Sequence, residues 1–227
     1  GCCELNVDEC GICDGDGPIQ GYNCGGYSLA DLNFLQTLID SSNLGIDPLD
    51  LGNQDWTNGT QKRLTILEVY NQISGTIPES IGNLDSLSFL NLRGNSLTGE
   101  IPIGIGSLSN LMELSLEYNN LSGVIPDSLG SLSSLSVLEL RNNQLSGQVP
   151  ESICNLNINW AASSFSIKNN NLCPSYPECI QEFIDYNNQD LNNCALSGCL
   201  DNTACNYTQF CADNSCEDDG SCEYGQA

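Results

Sequence analysis

The sequence predicts an α/β solenoid, in which similar coils stack and each coil adds a short parallel strand to the concave face. Leucines recur with a period of 24 residues through the middle of the chain, as at Leu87, Leu111 and Leu135. All 14 cysteines lie outside this middle part, because none occurs between Cys24 and Cys154. Disulfides stabilise segments that are too short to bury a core. We therefore expect a self-packed repeat region, closed by a helix at each end, between two small disulfide-rich modules.

The repeat region contains four clear coils and a fifth, degenerate one. In each coil, side chains placed like Leu111, Leu114 and Leu116 point inward and stack on their equivalents in the next coil. One coil cannot bury these side chains alone, so stability accumulates from the interfaces between neighbours. The copies are Leu64–Ser86, with one residue deleted near Asn71, Leu87–Asn110, Leu111–Ser134, the segment from Leu135, and a degenerate copy through Phe165, Ile167, Asn170 and Leu172.

Asparagine, glycine and proline recur at fixed places after each predicted strand. The asparagine amide satisfies backbone groups that the bend leaves unpaired, so we interpret these residues as a structural ladder. The pattern L-x-x-L-x-L-x-x-N-x-L-[ST]-G-x-[IV]-P resembles the plant-type leucine-rich repeat. The residues concerned are Asn95, Asn119, Asn143 and Asn170, then Gly75, Gly99, Gly123 and Gly147, and Pro78, Pro102, Pro126 and Pro150.

A helix is predicted on each side of the repeats. Ser28 and Asp31 form a capping-box-like start for the first helix, and Asp47-Pro48 indicates a second helical turn. The segment Asp55–Gly59 resembles the Trp-containing N-terminal cap of plant-type repeats. The apolar face of the first helix would consist of Leu29, Leu32, Leu35, Leu38 and Ile39.

After the last coil, the spacing of apolar residues predicts a closing helix over Glu178–Asn187. Its apolar positions are Ile180, Phe183 and Ile184, and Cys173, Cys179 and Cys194 would hold it in place. We interpret Trp56 and Trp160 as packing residues at the two ends of the repeats.

The two ends of the chain resemble other extracellular modules. Residues 8–17 resemble the short E-C-G-x-C-x-G-D-G units of extracellular multidomain proteins. The stretch from Gly198 to Tyr224 resembles a Cys-rich repeat of large secreted surface proteins of aquatic bacteria and some algae. Modules of this kind are usually spacers and connectors. The expected division is a Cys-rich module (1–26), a helical cap (27–63), the repeats (64–172), a second cap (173–197) and a second Cys-rich module (198–227).

Composition excludes several classes of function. The formal net charge is −24, which makes nucleic acid and anionic membranes poor partners. The chain has no His, so Ser-His-Asp and Cys-His nucleophiles and His-ligated zinc are excluded. Abundant Cys, and the lack of an apolar run near the ~18 residues of a membrane span, indicate a secreted or surface-displayed protein without a membrane span.

One column of residues on the predicted strand face is a candidate binding surface. It collects three of the five cations of an otherwise acidic chain. The column is either a ladder of exposed charge pairs, in which Glu117 lies between Arg93 and Arg141, or a shallow site for an anionic or sugar ligand. The sequence favours the ladder, since exposed cross-strand charge pairs are common. The column is Tyr70, Arg93, Glu117, Arg141 and Lys168, with Tyr118 and an apolar column of Ile66, Phe89 and Val137 beside it.

Metal and glycan sites are further candidates. Asp14 and Asp16 have the i, i+2 spacing of calcium loops, whereas the alternative is a solvated acidic turn, and no other cofactor is expected. Asp213, Asp218 and Asp219 are a second cluster of carboxylates, and zinc on Cys10 and Cys13 is disfavoured because secreted thiols are normally oxidised. Asn58, Asn120 and Asn206 occupy N-x-[ST] sequons.

We predict a protein without enzymatic activity. The remaining catalytic option is a carboxylate pair such as Glu113 and Glu139. An open, solvated surface is expected to give neither a raised pKa nor substrate burial, both of which general acid catalysis needs.

The distribution of cysteines favours a repeating structural or adhesive subunit that associates head to tail into a surface filament. Both terminal clusters contain an odd number of cysteines, so full oxidation needs a partner outside each cluster. A truncated chain, whose partner cysteines lie outside it, or two free thiols would explain the odd counts equally well. The alternative function is a recognition ectodomain that binds a protein or glycan on its concave face. The clusters are Cys2, Cys3, Cys10, Cys13 and Cys24, and Cys154, Cys173, Cys179, Cys194, Cys199, Cys205, Cys211, Cys216 and Cys222.

Overall fold

The computed structural model of the chain describes residues 20–161, 164–183 and 189. Two helices, α1 (Leu29–Ser41) and α2 (Glu178–Gln181), lie on either side of the repeats in the chain. The strands are β1 (Asn53–Trp56), β2 (Leu64–Glu68), β3 (Ser74–Thr76), β4 (Phe89–Asn91), β5 (Ser96–Gly99), β6 (Glu113–Ser115), β7 (Asn120–Gly123), β8 (Val137–Glu139), β9 (Gln144–Gln148), β10 (Phe165–Ser166) and β11 (Asn171–Cys173).

These strands form two sheets of stacked coils, as expected for a solenoid. The larger sheet has the order β1-β2-β4-β6-β8-β10, and every pair in it is parallel except β1 with β2. The second sheet has the order β11-β9-β7-β5-β3. A short 3-10 turn follows the second-sheet strand in each of four coils, at Glu79–Asn83, Ile103–Ser107, Asp127–Ser131 and Glu151–Asn155.

The core lies inside the coils and is continuous along the stack. Side chains of the larger sheet alternate, so that Leu67, Leu90 and Leu114 are fully buried while their neighbours in the strand face outward. The same buried cluster includes the isoleucines Ile81 and Ile105 of the 3-10 turns. The outward side of the larger sheet, here called the strand face, is therefore a surface whose positions are set by the core behind it.

Buried asparagines join each coil to the one before it. Asn119 Nδ2 donates to the carbonyl of Leu116 in its own coil (3.1 Å) and of Leu92 in the preceding coil (2.9 Å). Its Oδ1 accepts from the Leu97 N–H, also in the preceding coil (3.1 Å). Asn143 repeats the pattern one coil further on. These contacts agree with the interpretation of the asparagines as a structural ladder.

Helix α1 is tied to the first coil by a buried carboxylate. Ser28 accepts from the Asp31 N–H at the start of the helix, and Asp31 is fully buried. The Asp31 carboxylate accepts from the Leu64 N–H (2.7 Å) and pairs with Arg63 (3.0 Å), whose pKa it raises. The predicted apolar face is wrong at its start, because Leu29 is exposed and the buried apolar side chains begin at Phe34. The helix turns Leu29 away from the coil while it packs on β3 and the first 3-10 turn of the repeats.

At the other end, a disulfide between Cys154 and Cys179 connects the last 3-10 turn to α2, with 5.7 Å between the Cα atoms. Cys24 and Cys173 are also disulfide-bonded. Ile180 is buried as predicted, but Phe183 is exposed because α2 ends before it, at Gln181. Trp56 packs edge-on against Tyr27, and Trp160 packs in the same way against Phe165.

Over the described ranges, no helix is long and apolar enough to cross a membrane.

Several predicted features lie outside the described residues. The undescribed features are the candidate calcium ligands Asp14 and Asp16, the cluster Asp213, Asp218 and Asp219, the sequon at Asn206, the helical position Ile184, and the cysteines Cys2, Cys3, Cys10, Cys13, Cys194, Cys199, Cys205, Cys211, Cys216 and Cys222.

The ladder makes a prediction about stability. Asn119→Ala removes the side-chain partners of three buried backbone groups, and it should lower the free energy of unfolding by about 2–4 kcal/mol, because an unpaired buried group costs ~1–3 kcal/mol. The measurement is chemical denaturation. The matched control is Asn120→Ala at the exposed neighbouring residue, which should stay within ~0.5 kcal/mol of the original protein. Equal effects of the two changes would contradict the ladder.

Candidate binding surface on the strand face

The register of the larger sheet brings the residues of the predicted column next to one another in successive coils. The pairings Ile66 with Phe89 and Phe89 with Glu113 align successive coils residue by residue. Backbone hydrogen bonds extend this alignment beyond the strands, as from Gly94 to Glu117 and from Asn142 to Lys168. The C-terminal column, as it is called below, therefore follows the ends of the strands and consists of Tyr70, Arg93, Glu117, Arg141 and Lys168.

Glu117 bridges the two arginines of this column. Its carboxylate pairs with Arg93 Nη1 (3.0 Å) through one oxygen and with Arg141 Nε through the other. The bridge raises the pKa of Arg141. The expectation that the column is exposed throughout is wrong, because the side chain of Glu117 is only 5% exposed. Two arginines pair with this buried carboxylate, so both of its charge partners matter to its stability.

Tyr118 lies between the same arginines and has an unusual backbone. Its ring centroid is 5.1 Å from Arg93 Cζ and 5.4 Å from Arg141 Cζ, and the residue is 45% exposed. Its φ is +56°, in the left-handed region that bulky residues rarely occupy. In the other described coils, the residue at this position also has positive φ, but it is glycine or asparagine: Asn71, Gly94, Asn142 and Asn169.

Three further carboxylates face the same surface: Glu68 and Glu139 end strands β2 and β8, and Glu113 begins strand β6. We call Glu68, Glu113 and Glu139 the carboxylate band. Burial raises the pKa of Glu139 to about 7, and the charge of Glu117 adds to this effect. Burial also raises the pKa of Glu113, with a contribution from Glu68. The expectation that Glu113 and Glu139 keep ordinary pKa values is wrong, because the packed sheet and its side chains remove much of the water around them.

Glu139 is incompletely paired. Among the described residues, its buried Oε2 has no hydrogen-bond partner, and Arg141 Nε is 4.0 Å away. At the other end of the surface, the Tyr70 hydroxyl donates to Glu68 (3.3 Å), and burial raises the pKa of that hydroxyl. Both groups are thus titratable side chains of this surface whose pKa is raised by burial.

The other predicted site residues are placed as follows. Tyr70 and Lys168 are exposed in the C-terminal column, while Ile66, Phe89 and Val137 are half-buried at the strand starts. The sequon residues Asn58 and Asn120 are exposed, and Asn120 lies in the second sheet, away from the strand face. In the part of the chain that the structure describes, no group of three or more His, Cys, Asp or Glu is arranged to hold a metal ion.

The sequence interpretation overlooked two features of this surface. One is the carboxylate band as part of a binding surface. The other is the left-handed backbone at Tyr118, for which a signal existed: an alignment of the coils puts Gly94, Asn142 and Asn169 at the same position, and glycine and asparagine together indicate positive φ.

Comparison with known proteins defines the family. Family models described as leucine rich repeat match residues 103–157 and 86–108. The leucine-rich repeat ectodomain of the receptor kinase SOBIR1 from Arabidopsis thaliana is 30% identical, with a TM-score of 0.58, over 70% of this chain and 89% of that one. The chain therefore belongs to the leucine-rich repeat family.

Two further structures are similar. A chain of the BIR3–SERK2 complex from Arabidopsis thaliana is 27% identical with a TM-score of 0.57, covering 68% of this chain and 88% of that chain. The Arabidopsis receptor kinase HAESA, in complex with the peptide hormone IDA and the co-receptor SERK1, is 39% identical with a TM-score of 0.47 over 50% of this chain. The present chain spans 18% of that HAESA chain. A search of curated proteins gave no match.

The buried bridge makes a prediction about stability. Changing Arg93 and Arg141 to Ser leaves the Glu117 carboxylate buried without a cation, which should lower the free energy of unfolding by about 2–4 kcal/mol. Adding Glu117→Gln removes the charge and should recover at least half of that loss. Denaturant titration of the three proteins measures both effects. A loss that Glu117→Gln does not reduce would mean that the arginines stabilise the fold by packing alone.

The burial of Glu139 predicts a pH dependence. A carboxyl whose folded pKa lies above its unfolded value stabilises the fold at acid pH, and this stability disappears as pH rises through about 7. Glu139→Gln should therefore raise the free energy of unfolding by about 1–3 kcal/mol near pH ~8 and change it little near pH ~4. Thermal unfolding across this pH range measures the difference. The exposed Glu151→Gln is the control, and a Glu139→Gln effect independent of pH would contradict the assignment.

Proposed function

We propose that this chain is an extracellular recognition module whose strand face binds a peptide or protein ligand around Tyr118, Arg93 and Arg141. The observation that carries the proposal is the bulky side chain of Tyr118 at a left-handed backbone position. Strained residues are retained where the surrounding structure enforces them, and they concentrate at functional sites. Asparagine would build the coil at this position with less strain, so selection for the coil alone does not explain a tyrosine.

The chemistry of the surface supports the same proposal. Tyrosine and arginine are enriched among residues that dominate binding energy at protein interfaces. Tyr118 offers a rigid, half-exposed ring, and both guanidinium groups keep N–H groups that Glu117 does not use. A ligand with an aromatic or apolar group over the ring and an acceptor beside the arginines would match this arrangement.

The comparisons favour recognition over assembly. The similar structures with the longest coverage include a receptor-kinase ectodomain and a chain from a complex between two proteins. A protein partner and an extracellular location are therefore proposed for this chain, and the Cys154–Cys179 disulfide fits such a location. The filament subunit that the sequence favours has no support from the comparisons or from the described residues. The assignment of these coils to the plant type of leucine-rich repeat is likewise part of this proposal.

The test separates binding from folding at Tyr118. Random linear peptides displayed on phage are selected on the original protein, and the enriched peptides are titrated against variants. Tyr118→Asn should keep the free energy of unfolding within ~1 kcal/mol, because relief of ~1 kcal/mol of backbone strain offsets the loss of two exposed cation–π contacts. The same change should weaken binding at least about tenfold, as expected for an interface hot spot.

The matched control is Ile103→Ser, which truncates an exposed side chain at the first 3-10 turn residue of its coil, outside the strand face. Selected peptides should bind this variant as they bind the original protein. Binding that survives Tyr118→Asn, or that is lost equally in both variants, would count against recognition on the strand face.

A further inference from the structure

The loop that joins β1 to β2 contains the only Asn-Gly pair of the chain, Asn58 and Gly59. Both residues are exposed. Asparagine followed by glycine is a reactive pair, because the glycine nitrogen can attack the amide carbon of the preceding side chain without obstruction from a Cβ. The attack needs a backbone N–H and a side chain that are free of hydrogen bonds, and a backbone with room to move.

This loop is held at its ends and free in its middle. The Thr57 N–H donates to the carbonyl of Arg63 (2.9 Å), and the Arg63 N–H donates to the Thr57 hydroxyl (2.9 Å). Within the described part of the chain, neither the Asn58 side chain nor the Gly59 N–H makes a hydrogen bond. The nucleophile and the carbon that it attacks are therefore both available.

Gly59 also has the space that the reaction needs. Its φ is +109°, a conformation that residues with a side chain rarely adopt. Apart from its chain neighbours, no residue has an atom within 4 Å of the position that a Cβ would occupy. The middle of the loop therefore faces open space, and nothing packed against it opposes closure of a ring between the two residues.

A second exposed asparagine provides the contrast. Asn120 also lies at the surface, but it is followed by the fully buried Leu121. The Leu121 N–H donates to Asn143 Oδ1 (3.0 Å), so the corresponding nucleophile is engaged in the asparagine ladder. Exposure does not distinguish Asn58 from Asn120, whereas the state of the following N–H does.

We propose that Asn58 is a site of deamidation, at which the Gly59 nitrogen closes a succinimide ring on the Asn58 side chain. The bond between this nitrogen and Asn58 Cγ forms, the Cγ–Nδ2 bond breaks, and the proton of the Gly59 N–H leaves with Nδ2 as ammonia. Water then adds to one of the ring carbonyls and opens the ring to aspartate or isoaspartate. The inference is independent of the proposed function, because none of the residues proposed to bind a ligand belongs to this loop.

The fold is expected to tolerate the product. Deamidation adds a carboxylate to the loop, and the isoaspartate form lengthens the main chain by one carbon between Thr57 and Arg63. Because this extension falls in the free middle of the loop, the hydrogen bonds at its ends and the pairing of Arg63 with Asp31 are retained. The modified form therefore accumulates in folded protein. Asn58 also belongs to a sequon, and a glycan on its Nδ2 would compete with the reaction.

The test uses the whole chain produced in a bacterial periplasm, where disulfides form, in a strain that adds no N-glycan to the Asn58 amide. The folded protein is stored in isotopically labelled water at mildly alkaline pH, and its peptides are mapped by mass spectrometry. Asn58 should convert at least about tenfold faster than Asn120, with uptake of a labelled oxygen. The rate should fall at mildly acidic pH, because the attacking nitrogen must lose its proton.

A synthetic peptide of residues 55–61 measures how far the fold restrains the reaction. The folded chain should react within about tenfold of the rate of this peptide, because a loop without internal contacts opens at little cost in free energy. A folded chain that reacts more slowly than this range overturns the inference, since its loop would then prevent ring closure.

Two substitutions at exposed residues locate the reaction. Asn58→Gln should remove the isoaspartate signal, because glutamine must close a larger ring and does so far more slowly. The matched control is Asn120→Gln, which should leave the signal unchanged. An isoaspartate signal that survives Asn58→Gln, or that disappears in Asn120→Gln, would place the reaction elsewhere and overturn the inference.

Discussion

The structure depends on one requirement: the backbone groups at the bend after each strand are buried and must be hydrogen-bonded. Asn119 meets this requirement by bonding to its own coil and to the coil before it. To direct the asparagine inward, the preceding residue takes a left-handed backbone, as Tyr118 and Asn142 do. The same bend therefore fixes the spacing of the coils, the registry of the strands and the outward direction of the residues at the strand ends. The candidate surface is a consequence of this bend.

Much of this fold follows from periodicity. The repeat period of the leucines and the ladder asparagines predicts where each coil begins and ends. Taking the equivalent residue from each coil then predicts which residues form the C-terminal column. Periodicity does not predict how deeply a side chain is buried. Glu117 and Lys168 occupy equivalent positions, yet the first is buried and the second is exposed. The difference depends on the neighbouring side chains, because Arg93 and Arg141 cover Glu117 from both sides. The exposure of Leu29 in the first helix escaped prediction for a similar reason, since the docking angle of the helix decides which residues face the coil.

The electrostatics of the strand face contrast with those of the whole chain. The net charge of −24 repels anionic partners at long range, but this field is screened beyond about 8–10 Å in physiological salt. At contact distance, a ligand experiences the arginines and the carboxylates of the strand face individually. Under the proposed function, contacts with these individual groups decide which ligand binds, whereas the acidic remainder of the chain disfavours polyanions as a class.

The buried carboxylate of Glu117 lowers the net positive charge around the two arginines and at the same time orders their side chains. It cancels part of the positive charge that would attract an anionic group, which weakens long-range attraction. In return it holds Arg93 and Arg141 in defined positions on either side of Tyr118, before any ligand arrives. Ordering a long side chain on binding costs about 0.5–1.5 kcal/mol, and this cost is already met in the free chain. For the proposed recognition surface, this order favours ligands whose acceptors fit the fixed positions of the two arginines over ligands that are merely anionic.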